Sequence, residues 1–171
     1  MNTRHTVIDT ATLGPVTIVA TDAAVTGLYF RQHIRRPAQE LFGPSVSFVG
    51  DTVLGEAVGQ LLEYLLGQRR DFDLPLNPAG DDFRQQVWRE VGAVPFGETT
   101  TYGRIAQRLG DRSAAYSVGR AMGANPLCIF IPCHRVIGAN GSLTGYAGGL
   151  KRERVLLELE EPAAVSVGRL F

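Results

Sequence analysis

Three short runs rich in β-branched and aromatic residues open the chain: Thr6–Thr10, Pro15–Ala20 and Val25–Arg31. Leu13-Gly14-Pro15 and Thr21-Asp22 separate them, and this pattern predicts an antiparallel meander. His33–Phe48 holds two prolines and a glycine without a sustained period, and is expected to be loop. Helical spacing first appears in Asp51–Leu66, where Leu54, Val58, Leu61, Leu62 and Leu65 recur and Gly67 supplies a stop. Phe72–Leu76 predicts another strand, and Asn77-Pro78-Ala79-Gly80 a linker. No residue of this half carries recognisable chemistry. Residues 1–77 are expected to form a small α+β supporting domain, and residues 78–171 a second one.

The pattern of the second half is mostly helical. Asp81 or Asp82 can cap a helix whose inward stripe is Phe83, Val87, Trp88 and Val91, ended by Pro95-Phe96-Gly97-Glu98. Thr100 or Thr101 caps Tyr102–Leu109, which stops at Gly110. After a turn at Asp111-Arg112, a third helix covers about Ser113–Met122, closed by Gly123-Ala124-Asn125-Pro126. Two short helices joined by a tight turn predict a helix-turn-helix. The apolar stretch Asn125–Val136 predicts a buried strand that delivers Cys133 next to His134. Asn140-Gly141 marks a tight turn, Leu143–Gly149 a mobile glycine loop, and Leu150–Glu160 a final amphipathic helix.

Composition changes this picture in two places. The 171 residues are 44% hydrophobic and 20% charged, ordinary values for a soluble globular protein. Met1–Thr10 has no apolar core of a secretion signal, and Ala121–Cys133 falls far short of the ~20 residues of a membrane helix. Two cysteines five apart cannot frame a fold, so a reducing cytoplasm is expected. Formal net charge is zero, yet its distribution is uneven. Tyr102–Arg154 carries eight basic residues against Asp111 and Glu153, whereas residues 1–80 carry six arginines against eight acids. Such asymmetry is the footprint of a polyanion partner on one half.

The chemistry concentrates at Cys133-His134. A thiol is a strong nucleophile only as thiolate, and a neighbouring imidazole is a means of making one. On a strand, adjacent side chains point to opposite faces, so proton transfer between them is expected to pass through a water. A cysteine hydrolase would also need an oxyanion hole and a peptide cleft, for which no residue argues. A zinc site needs about four ligands, and Cys128, Cys133, His5, His33 and His134 show no paired ligand spacing. Neither a metal nor a cofactor is expected.

Pro132-Cys133-His134-Arg135-Val136, in this context, resembles the signature of the O6-alkylguanine-DNA alkyltransferase family, and the resemblance runs from about Asp82 to Glu160. It implies an α+β protein with a small ribonuclease-H-like antiparallel-sheet and helix domain, followed by a mainly α domain holding the helix-turn-helix and the active-site loop. It further implies DNA repair by direct reversal, with the alkyl group of O6-alkylguanine, and of O4-alkylthymine, moved irreversibly to Cys133. The competing class is a non-catalytic lesion-binding protein that recruits other factors; its members replace the cysteine, which Cys133 argues against.

The resemblance also assigns roles. Glu160 orients His134, and Asn125 is a hinge tying the recognition helix to the active stretch. Tyr102 meets guanine N3, the Ala147 N–H faces O6, and the carbonyls of Cys133 and Val136 hold the exocyclic amine. Met122 and Tyr146 wall the pocket, with Gly148 in the same loop. The partner is double-stranded DNA, bound through the minor groove by a protein that is monomeric in solution and open to cooperative packing on DNA, with the damaged base flipped out at a cost of a few kcal/mol. Arg112, Ala115, Tyr116, Gly119, Arg120 and Gly123 form the DNA face, small residues permitting close approach, and Arg135 is counted among the DNA cations. Two positions depart from the family pattern. Tyr116 stands where relatives usually place an arginine that fills the gap in the base stack. Cys128 stands at the pocket edge, where some relatives carry proline.

Overall fold

The structure, a computed structural model, describes residues 1–143 and 145–161. Thr144 of the expected glycine loop and residues 162–171 of the expected second domain lie outside the described residues.

Strands β1 (Thr3–Thr10), β2 (Gly14–Thr21) and β3 (Ala24–Phe30) form an antiparallel sheet in sequence order. Its register runs from Thr3↔Thr21 to Thr10↔Gly14 and from Val16↔Phe30 to Thr21↔Ala24, with one irregularity at Val19/Ala20. The expected meander is therefore present, each strand a little displaced or extended. Helix α1 (Thr52–Leu65) starts where the Asp51 side chain accepts from Leu54 N at 3.1 Å, and its chain turns away at Gly67, φ 77°. Asp51 also receives Arg4 Nε at 2.8 Å, which pins the helix start to β1. The buried face of α1 is Leu54, Ala57, Val58, Leu61 and Tyr64, set in the same core as Val16, Ile18, Leu28 and Phe30 of the sheet.

Phe72–Leu76 is not a strand. Only Leu76 bridges Val25, because Pro75 has no N–H to give and offers only its carbonyl, to Val25 N at 2.7 Å.

Helix α2 (Asp82–Gly92) is capped by Asp81 onto Arg84 N at 2.9 Å. A short strand β4 (Thr100–Thr101) leads into α3 (Tyr102–Arg108), whose first turn is capped by Thr101 onto Arg104 N at 3.2 Å. Gly110 at φ 88° ends it, a 3₁₀ turn spans Arg112–Ala114, and α4 (Ala115–Gly123) completes the helix-turn-helix. The Trp88 indole N–H donates to Ala121 O at 2.9 Å, locking α2 across α4. Strand β5 (Val136–Ile137) pairs in parallel with β4, and α5 (Leu150–Glu160) closes the described chain. One cluster of buried apolar side chains runs through both halves, including Leu28 and Leu61 from the first and Trp88, Ile105 and Leu156 from the second. No described helix is long and apolar enough to cross a membrane.

The buried strand expected over Asn125–Val136 is instead a folded-back segment. Leu127 bridges Leu28, with Leu28 N bonded to Pro126 O at 2.8 Å, and the chain then reverses so that Cys128 bridges Ile131. Ile131 N closes this turn on Leu127 O at 2.8 Å, and Ile129 occupies φ 75°. A β-branched residue in the left-handed region costs of order 1–3 kcal/mol. Burial of Leu127, Ile129 and Ile131 in the shared core holds the turn closed. Pro126 and Pro132 remove two amides from any continuous ladder, which is why an apolar run does not become a strand here.

Candidate active site

Pro132, at φ −79° and ψ 64°, forms an inverse γ-turn that brings Cys133 N to Ile131 O at 2.7 Å. Cys133–Arg135 then makes one 3₁₀ turn. Cys133 and His134 are thus successive residues of a turn, not of a strand, and the strand-face argument does not describe them. The turn sends the His134 and Arg135 side chains, both buried, toward Glu160 at the end of α5.

Glu160 is 3% exposed and is the hub of the cluster. Its Oε2 meets His134 Nε2 at 2.8 Å and accepts from Arg135 Nη2 at 2.9 Å and the Tyr64 hydroxyl at 2.5 Å. Its Oε1 accepts from Arg135 Nε at 2.8 Å and Gly97 N at 3.4 Å. Burial alone would raise this carboxyl; hydrogen bonds from His134, Arg135 and Tyr64 outweigh it and hold it down at about 2. Burial lowers the pKa of His134, and the bond and charge of Glu160 only partly offset this. At neutral pH the imidazole is therefore neutral, with Nε2–H donated to the carboxylate. Among the described residues its Nδ1 has no hydrogen-bond partner, which leaves that lone pair as the proton acceptor. A base held in one tautomer by a carboxylate is what activation of a thiol requires.

Two features of this hub differ from the sequence reading. Arg135 is not available to DNA. It is 5% exposed, grips both oxygens of Glu160, and gives Nη1 to Val94 O at 2.7 Å. The first half of the chain is not chemically silent, because Tyr64 on α1 reaches the hub. Burial, then the charge of Glu160, pushes its phenol well above the usual range, so it stays a donor. The available signal was a tyrosine on the apolar face of α1, whose hydroxyl must find a partner when buried.

Asn125 is buried and braces the folded-back segment: Nδ2 donates to Ile131 O at 3.1 Å, and Oδ1 accepts from Leu127 N at 2.9 Å. Tyr102 of α3 and Ala115, Tyr116, Gly119, Arg120 and Gly123 of α4 line a groove of about 550 Å3, of which the buried Cys133 is not a lining residue. Gly145 and Ala147 of the loop face them, and Ile34 and Arg35, which follow β3, complete the rim. Cβ atoms built on Gly119 and Gly145 would lie 3.9 Å from the Tyr102 ring and 3.8 Å from its hydroxyl, so Tyr102 sits between helix and loop. Tyr116 is 78% exposed on this groove.

The other expected site residues fall elsewhere. Arg112 belongs to the 3₁₀ turn before α4, so the four-residue spacing does not put it on the helix face of Tyr116 and Arg120. Met122, Val136 and Tyr146 are buried rather than groove-lining; the Tyr146 ring packs 6.3 Å from Phe30, and its buried hydroxyl lies near Cys128 without a hydrogen-bond partner among the described residues. Gly148 packs on Phe30, where a Cβ would come within 2.5 Å of the ring, which is why the loop needs glycine there. Arg152 is also engaged inside the protein, donating to Leu13 O, Gln32 O and Gly148 O and stacking over Phe30 at 4.9 Å. The positive excess of this half is accordingly smaller at the surface than in the sequence.

Comparison with known proteins gives a consistent result. Residues 82–162 match the family described as 6-O-methylguanine DNA methyltransferase, DNA binding domain, and residues 3–78 match its ribonuclease-like domain. A methylated-DNA–protein-cysteine methyltransferase of Mycobacterium bovis is 42% identical over 160 residues, 93% of each chain. The inducible enzyme of that name from Bacillus subtilis is 38% identical over 149 residues, 83% of each chain. The crystal structure of the O6-methylguanine methyltransferase of Mycobacterium tuberculosis superposes with a TM-score of 0.83 at 38% identity, covering 98% of this chain and 99% of that one. The structure of Mycobacterium tuberculosis OGT in complex with DNA gives 0.83 at 39% identity, covering 96% and 98%.

Proposed function

Because this chain belongs to the 6-O-methylguanine DNA methyltransferase family, we propose that it repairs DNA by taking the alkyl group from O6 of guanine onto Cys133. The observation that carries the reading is the buried, neutral His134, fixed by Glu160 through Nε2 and open at Nδ1, one residue from Cys133. The thiol proton passes to Nδ1 through one water, and the thiolate attacks the alkyl carbon. The S–C bond forms as the C–O6 bond breaks, and the electron pair leaves on guanine. Tyr102 O–H at N3 and the Ala147 N–H at O6 stabilise that leaving base. A thioether is not cleaved by these groups, so each chain acts once.

The groove receives the flipped nucleotide, because a base inside the duplex cannot reach Cys133. Ala115, Gly119 and Gly123 let α4 approach the sugar-phosphate walls in the minor groove, Arg120 meets phosphate, and Tyr116 fills the vacated stack. The proposed activity extends to O4-alkylthymine. The functional boundary falls at 77/78, the protein is a monomer in solution with room for cooperative packing on DNA, and its free thiols suit a reducing cytoplasm. Cys133→Ser tests the assignment: duplex affinity should persist while transfer of a radiolabelled methyl group disappears. Transfer by the serine variant would overturn it.

A further inference from the structure

The mechanism uses one thiol, yet two lie together. Cys128 and Cys133 are both free and buried, at 0% and 5% exposure. The reversal at Ile129, closed by the Cys128↔Ile131 bridge and the Ile131 N to Leu127 O bond, folds Cys128 back beside Cys133. The Cys128 and Cys133 side chains lie near enough to interact directly, with the Tyr146 hydroxyl also beside Cys128. In an extended strand, positions five apart would be separated by roughly 16 Å and face opposite sides. The turn therefore brings together two sulfurs that the sequence spacing alone keeps apart, and close approach is the first requirement for a disulfide.

We propose that Cys128 is a resolving thiol for Cys133, so that oxidation of the alkyl acceptor by a hydroperoxide ends in a reversible Cys128–Cys133 disulfide. In the first step the Cys133 thiolate attacks the peroxide O–O bond, giving Cys133 sulfenic acid and the alcohol or water. In the second, the Cys128 sulfur attacks the sulfenic sulfur, the S–O bond breaks, and the Cys128 proton leaves with the hydroxyl as water. Both electrons removed from sulfur go to the peroxide. A disulfide blocks the thiolate, but a small thiol reductant restores it, whereas the sulfinic and sulfonic acids beyond sulfenic acid are not recovered this way. The neighbouring Cys133 side chain and apolar burial hold Cys128 as the protonated thiol, its pKa well above the usual range. It is thus no competing alkyl acceptor and acts only once Cys133 has become electrophilic.

This inference rests on a reactive Cys133, but its readout is independent of alkyl transfer. The full chain, Cys128→Ser and Cys128→Ala are treated with hydrogen peroxide, digested with trypsin without reduction, and weighed. The wild-type peptide Ala121–Arg135, which holds both cysteines, should become lighter by two hydrogens and return to its original mass with dithiothreitol. Both variants should gain oxygen atoms on Cys133 instead, and should not regain their own untreated alkyl acceptance on reduction. Oxygen gain without hydrogen loss in the wild type, or equal recovery in all three proteins, would overturn the proposal. Hydrogen loss in a protein that accepts no alkyl group would leave the disulfide standing and remove the repair function instead.

Discussion

Glu160→Gln removes one charge from a position where five donor atoms converge. The consequence for stability can be worked in two ways. The carboxyl is held at about 2 against an ordinary 4.5, which converts to about 3 kcal/mol at neutral pH. Leaving the buried Arg135 guanidinium without its counterion costs about 3–5 kcal/mol, a range that overlaps the first figure. The sign is that of a depressed acid: the stabilisation is complete above 4.5 and is lost as pH falls toward 2. The effect on rate has a different origin. A glutamine amide can donate to His134 Nε2, which places the ring proton on Nδ1 and removes the acceptor for the Cys133 proton. Loss of a positioned base slows a step by about 10²–10⁴-fold. Single-turnover transfer from methylated duplex gives the rate and urea unfolding the stability, with Glu158→Gln, exposed on the same helix, as the control. A Glu160→Gln protein that transfers at the wild-type rate would refute the role of the carboxylate, and one that also unfolds like wild type would refute the hub.

Three other perturbations address separate parts of the account. Tyr64→Phe removes a hydrogen bond to a charged group, so unfolding should become easier by about 2 kcal/mol and transfer slower; an unchanged rate would mean that α1 does not act on the site. Glu153 is 1% exposed with neither oxygen hydrogen-bonded among the described residues, and burial raises its pKa from 4.5 to about 7, so its cost to the fold builds up as pH rises from 4.5 toward 7 and is complete above it. Glu153→Gln should therefore be more stable than wild type by about 2 kcal/mol near about pH 8 and nearly equal near about pH 5; an equal difference at both would contradict the assignment. Tyr116→Ala should lower repair of duplex far more than repair of a short single strand, since base–aromatic stacking contributes about 1–3 kcal/mol; wild-type duplex repair with normal circular dichroism would exclude a wedge.

The sequence carries the helices and the meander because their signals are local. Asp81, Thr101 and Gly110 mark helix ends through their own side chains or backbone freedom, and Leu54, Val58 and Leu61 of the α1 stripe face the core, whereas Leu62 is exposed and Leu65 only partly buried. What it misreads depends on contacts between distant segments. Leu127–Ile131 has the composition of a strand, yet Pro126, Pro132 and the bridge to Leu28 make it a reversed turn. Arg135 carries the same charge in either setting, and only the position of Glu160 twenty-five residues on decides that it is spent inside. Tyr64 is ninety-six residues from Glu160, and no spacing rule joins them. The groove residues of α4 are named through the family resemblance, and they line one groove because Ala115, Tyr116, Gly119, Arg120 and Gly123 recur at three- and four-residue spacing on one helix face.

The central claim is that Cys133 keeps the alkyl group it removes. The most direct measurement is the intact mass of the protein after incubation with excess duplex bearing O6-methylguanine. The account predicts a gain of one methyl group per chain that stops there, mapped to the peptide Ala121–Arg135 and absent with unmodified duplex. Repaired guanine in excess of protein, or repair with no change in protein mass, would contradict it.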